Sequence, residues 1–276
     1  MSRLVFGAAF VLGLMMSSDS RGDVVVVFEI DPTQSHLTVG GVIDVGPAPG
    51  FLGGQFPVAE QKEGALTTSF AGTITARLND SANPTSIEFI SAELTGLINP
   101  NGPFQPNDAG NALIPAGDAN FGMRSDLGDG KLRNIAFNMS SGGNAISISN
   151  GLFGQGDQVW QYTSGDIDLF SPSLSTGNSQ AFPVAPEDGF AVANNTGSDG
   201  SLANIAGVNV LTLPVDVDLE WFIPGTPTVG GNFRYTGTLV TAVPEPTTWG
   251  TLGVLSLGLV WLVRRRSVRG LPAPSC

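Results

Sequence analysis

Between Arg21 and Val243 no apolar period of 3.6 residues persists for three turns, which argues against a helical core over most of the chain. Period two recurs instead. Val215-Asp216-Val217-Asp218-Leu219-Glu220-Trp221 alternates apolar and acidic residues, so a strand there sets three carboxylates on one face and the apolar side chains on the other. The Thr-rich run Thr67 to Leu78 stops at the turn cluster Asn79-Asp80-Ser81-Ala82-Asn83-Pro84, and Ser86 to Leu94 reads as the returning strand of a hairpin. Further strands are expected over Val24 to Ile30, Leu37 to Val45, Leu132 to Met139, Ala145 to Ser149, Gln158 to Tyr162, Ala203 to Leu213 and Phe233 to Val243. Asn99 to Asp118 and Pro172 to Asp199 are dense in Gly, Pro, Asn and Asp and read as long loops. With 37 Gly and 19 Pro in 276 residues, turns must be frequent. The expectation is an all-β domain, an antiparallel sandwich or barrel-like fold with long loops, over residues 23–242.

No disulfide can staple that domain, because the single cysteine is Cys276. An ordinary hydrophobic core has to hold it, and roughly 220 residues suffice for one. The whole chain carries 12 Lys and Arg against 24 Asp and Glu, a net charge of −12. Much of the basic charge sits at the ends (Arg3, Arg264, Arg265, Arg266, Arg269), so the middle is more acidic still. Such a surface disfavours nucleic acid and anionic membranes.

The two ends follow a different logic. Thr247 to Val263 is uncharged and dominated by Leu, Val, Gly and Trp. As a helix it would span roughly 25 Å, the short end of a bilayer crossing. Trp249 and Trp261 stand near its ends, where indoles favour the interface, and Arg264-Arg265-Arg266 favour the cytoplasmic side as a stop to transfer. Residues 267–276 would form a cytoplasmic extension. At the other end, Arg3 followed by the apolar stretch Leu4 to Met16 and small residues around Ser17, Ser18 and Ser20 has the layout of a signal peptide over 1–22, cut between Ser18 and Asp23. An N-terminal signal helix and a single C-terminal transmembrane helix therefore flank the β-domain.

Val243-Pro244-Glu245-Pro246, the apolar segment and the Arg cluster together resemble the tail of the PEP-CTERM proteins of Gram-negative bacteria. The resemblance spans 243–266, about a tenth of the chain. It implies a sorting motif recognised by an exosortase, a membrane transpeptidase-like protease that cuts near the motif. The product would then pass to the outer envelope, cell surface or extracellular matrix after transient anchoring in the inner membrane. Ser267 to Cys276 departs from the pattern, since many members stop after the arginines. Phe28-Glu29-Ile30-Asp31-Pro32, Ser35, Leu37-Thr38-Val39 and Gly64 to Ile74 are also similar to other PEP-CTERM ectodomains, for which the resemblance implies no activity.

Nothing in the middle assembles into evident catalytic chemistry. His36 is the sole histidine, so a Ser-His-Asp triad would need it as base, and it reads as a residue opening a strand. One His and no exported Cys leave no set for a His- or Cys-built zinc site. Ser125 to Lys131 looks superficially like a calcium loop, but position three from Asp126 is Gly128 and position twelve is Phe137. Its Asp-Gly reads as a tight turn, as does Asn194 to Gly200. Asp216, Asp218 and Glu220, about 6.6 Å apart in pairs along one strand face, are the weak candidates for metal or for paired carboxylates. A solvent-facing sheet is the plainer reading. No cofactor is expected.

The sequence thus points to an exported surface or matrix protein without evident catalysis. Its expected partners are the export translocon, an exosortase-type protease, and exopolysaccharide or other envelope components. Two alternatives are a surface carbohydrate-binding or glycoside-hydrolysing module, and a single-pass membrane protein that no protease trims.

Overall fold

A computed structural model describes residues 23–47, 49–50, 52–104, 117–171, 176–181, 192–205, 208–223 and 229–241. The expected signal and transmembrane helices, the sorting motif and the Arg cluster lie outside the described residues. What is described is all-β, with every pairing antiparallel.

The strands are β1 (Val24–Glu29), β2 (His36–Val45), β3 (Gly54–Pro57), β4 (Ala59–Glu60), β5 (Thr67–Leu78), β6 (Ser86–Gly96), β7 (Phe121–Ser125) and β8 (Gly128–Ser140). After them come β9 (Ile146–Ser147), β10 (Leu152–Phe153), β11 (Val159–Ser171), β12 (Thr176–Ala181), β13 (Ala193–Asn194), β14 (Gly200–Ile205), β15 (Val208–Ile223) and β16 (Val229–Val240). Hydrogen bonding runs through one sheet in the order β10-β14-β15-β16-β2-β5-β6-β8-β11-β12, with β1 added to β5 and β3 to β2.

That sheet doubles back on itself. Along the path β16 and β11 are five strand spacings apart, about 24 Å if the sheet were flat. Yet the hydroxyls of Tyr162 on β11 and Tyr235 on β16 are 2.9 Å apart. Phe137 of β8 meets the Tyr235 ring at 4.9 Å between centroids, and Phe89 of β6 meets Phe153 of β10 at 5.7 Å. Two half-sheets therefore face each other in a sandwich-like arrangement, with their inner side chains in one large core.

The bend is made where β2 and β5 pair for only three residues, His36–Thr38 against Thr67–Ser69. Three residues beyond this junction each strand has a glycine that no other residue could replace. Gly41 takes φ +117°, and a Cβ there would lie 2.1 Å from the Asn232 carbonyl oxygen. Gly72 takes φ +132°, and its Cβ would fall 1.8 Å from the Glu93 oxygen. Only glycine permits both the torsion and the close approach.

Most expected strands are present, including the β5–β6 hairpin, whose ladder runs from Phe70–Gly96 to Leu78–Ile87. Three expectations need correction. Ala203 to Leu213 is not one strand: β14 and β15 meet there as a hairpin, with Ile205 paired to Val208. Pro172 to Asp199 is not wholly loop, because β12 lies along β11 from Asp166–Ala181 to Ser171–Thr176. Period-two signals are weak in Thr176 to Ala181, so β12 depends on the β11 edge for partners. The tight turn near residue 126 is formed by Asp126 and Leu127, and Asp129-Gly130 lies inside β8 opposite Met123 and Arg124.

Candidate functional site

The alternating segment forms the second half of β15. Val215, Val217, Leu219 and Trp221 are buried, whereas Asp218, Glu220 and Phe222 are exposed on the outer face and Asp216 is half-buried there. Opposite them on β16 stand Thr236, Arg234, Asn232 and Gly230, then Thr38, Gly40, Val42 and Asp44 on β2, and Pro57 and Gln55 on β3. Four strands thus present a continuous polar surface.

The three carboxylates are held differently. Asp216 accepts a bidentate pair from Arg234, at 2.7 Å from Nε and 2.6 Å from Nη2. These hydrogen bonds, with the guanidinium charge, keep the Asp216 carboxyl below its ordinary range against a smaller opposing effect of burial. Asp218 accepts the Asn232 side-chain amide on both oxygens, at 2.7 and 2.9 Å. Glu220 extends into a groove of about 810 Å³ lined also by Asp218, Asn232, Phe222, Asp44 and Gln55, floored by Gly230 and Val42. Gln55 donates to Asp44 at 3.3 Å across its far wall.

Among the described residues no three His, Cys, Asp or Glu side chains converge on a point where a metal ion could sit. The stripe is a spread of acceptors, not a chelating cluster. No family model, curated protein or solved structure matches the chain.

The other singled-out residues fall elsewhere. His36 opens β2 as expected, exposed, between Ser69 of β5 and Thr238 of β16. Asp129 in the calcium-like stretch is engaged by Arg124 at 3.0 Å, while Asp126 points outward from the turn. Val243, Pro244, Glu245 and Pro246, and Arg264, Arg265 and Arg266, lie outside the described residues. The domain is firmly tied immediately before them. Thr241 is buried, its N–H donates to the Leu211 carbonyl, and its hydroxyl accepts from the Leu211 N–H at 2.8 Å.

Two buried polar clusters escaped sequence reading. Asn195 is 1% exposed and its side chain makes five hydrogen bonds. Its amide donates to Gln155 Oε1, Gln158 Oε1 and the Pro214 carbonyl, and its Oδ1 accepts from the Gly197 and Asp216 N–H groups. Read from sequence it is one Asn in a turn-rich run, and nothing signals that the loop is sealed into the sheet by it. The second cluster joins β8 to β11. Asp168, 2% exposed, accepts from Arg133 at 2.8 and 3.1 Å and pairs with the buried Lys131 at 3.6 Å. Both clusters bond inward and are structural ties.

Proposed function

We propose that this chain is an exported cell-surface or extracellular-matrix protein, carried out by its leader and trimmed by an exosortase-type protease at its C-terminal tail. The observation that carries the reading is the ordered trio of Val243-Pro244-Glu245-Pro246, an uncharged segment of bilayer length and Arg264-Arg265-Arg266. In this reading the segment anchors the chain in the inner membrane, the arginines stop transfer, and the motif is presented at the membrane surface. The β-domain is the cargo, passed to the envelope or matrix, and works by binding, not catalysis.

Two features support the assignment. An acidic, cysteine-free domain needs no oxidative folding and stays soluble outside the cell. The domain is hydrogen-bonded up to Thr241, two positions before the motif, so the motif follows a rigid body with almost no spacer.

Intact-mass spectrometry of the surface form, beside Pro244→Ala and Glu245→Ala chains, tests it. The native chain should lose both ends, and the variants should keep the tail while their β-domain melts at an unchanged temperature. A native mass that retains Thr247 to Cys276 would instead establish the untrimmed single-pass protein.

A further inference from the structure

The geometry points to the groove between β15 and β3 as a binding site for a neutral saccharide chain. The available hydrogen-bonding groups are almost all acceptors: the Glu220, Asp218 and Asp44 carboxylates and the side-chain carbonyls of Asn232 and Gln55. Asn232 and Gln55 already use N–H donors on Asp218 and Asp44. A complementary ligand must therefore be rich in donors, and hydroxyl groups on sugar rings supply them. Three carboxylates and no cation among the lining residues repel uronates, phosphates and other anions.

The shape favours a chain over an ion. Sheet geometry sets the Cα atoms of Asp44 and Glu220 roughly 12 Å apart, two strands across and two residues along. Among the described residues no three acidic side chains converge to hold a metal ion, whereas successive sugar rings can each meet one carboxylate. Phe222, 42% exposed, stands at one wall and offers an aromatic surface to the apolar C–H face of a ring. Gly230 and Val42 keep the floor low enough for a ring to settle. A peptide is a poorer occupant, because the floor strands β16 and β2 are hydrogen-bonded on both edges and cannot take an added strand.

The inference does not depend on how the chain is sorted, so it can be tested on the purified full-length chain in detergent. Maltotetraose, cellotetraose and mannotetraose would be titrated by NMR, beside tetragalacturonate, a glucosamine tetramer and tetralysine. At least one neutral tetramer should bind, tetragalacturonate should not, and 0.5 M salt should leave the neutral affinity within about twofold. Phe222→Ala and Asn232→Ala should each weaken binding about tenfold, one lost contact's worth, with unchanged circular dichroism. Arg77→Ala, on the opposite half-sheet, should have no effect. Failure of all three neutral tetramers to bind would overturn the proposal. So would binding confined to the glucosamine tetramer or tetralysine and abolished by salt, which would mark a simple ion-exchange surface.

Discussion

The Tyr162 hydroxyl donates to the Tyr235 hydroxyl at 2.9 Å, joining the two half-sheets at the centre of the core. Tyr235→Phe leaves the Tyr162 O–H buried without its acceptor and should destabilise the domain by about 1–3 kcal/mol. Replacing both tyrosines by Phe should recover part of that loss, since neither polar group is then stranded. Urea denaturation of the two single variants and the double variant measures the coupling. Additive losses would show that the bond contributes nothing.

The same pair sets the alkaline limit of the fold. Burial pushes both phenols above the ordinary value of 10.0, Tyr162 further by the neighbouring Tyr235 and Asp218. A group whose folded pKa is raised gives stability that is complete below the unfolded pKa and is lost as pH rises toward the folded one. Stability should therefore be unaffected by tyrosine below about pH 10 and fall above it. These are the only two tyrosines in the chain, so the test is direct. Phenolate absorbance should appear only together with unfolding, and a separate native titration step near pH 10 would contradict the buried pair.

Asn195→Ala removes five hydrogen bonds from a residue sealed between β11 and β15, and strands Gln155, Gln158 and two backbone N–H groups. A loss of roughly 2–4 kcal/mol is expected, at the high end for a single buried polar side chain. Asn195→Asp should be no better, because a carboxylate cannot donate to the two Gln oxygens and the Pro214 carbonyl. Thermal melts of the two variants decide it.

Arg234→Ala tests the exposed end of the same face. Its ion pair with Asp216 is partly solvated, so the loss at neutral pH should stay under about 1 kcal/mol. Asp216 has a depressed folded pKa, which gives stability present above its unfolded value of 3.8 and lost as pH falls below it. The difference between native and variant chains should accordingly vanish in acid. A difference that persists at pH 2 would mean Arg234 acts through packing.

Gly41→Ala places a Cβ against the Asn232 carbonyl at a positive φ and should break the β2–β16 ladder beside the sheet's bend. Destabilisation above about 3 kcal/mol, or failure to fold, is expected. Gly40→Ala, where nothing lies within 4 Å of the added carbon, is the matched control and should cost little.

Strand identity was legible wherever one face is wet and the other dry. Val215 to Trp221 alternates because its acids face solvent and its apolar residues face the core, and Thr67 to Leu94 announces its hairpin by an Asn-Asp-Ser-Ala-Asn-Pro turn. Legibility failed where pairing came from a distant partner. Thr176 to Ala181 has no alternation of its own and is a strand because the β11 edge offers it hydrogen bonds. Likewise the turn at Asp126-Leu127 was misplaced, because its position follows from the Ser125–Gly128 register and not from the nearby Asp-Gly.

The candidate site divides in the same way. The sequence by itself determined that Asp216, Asp218 and Glu220 share a face, since strand geometry alternates side chains over two residues. It also determined the acidic charge, the lack of disulfides and the apolar composition of both terminal stretches. Only the tertiary structure decided which strands lie beside that face. It set Asn232, Gly230, Asp44 and Gln55 next to the carboxylates, gave Arg234 to Asp216, and closed Tyr162 onto Tyr235. Those choices rest on pairings between residues far apart along the chain, such as Asp44 of β2 with Gly230 of β16, 186 positions away (230 − 44), which depend on the sheet's bend and register. No local pattern encodes them.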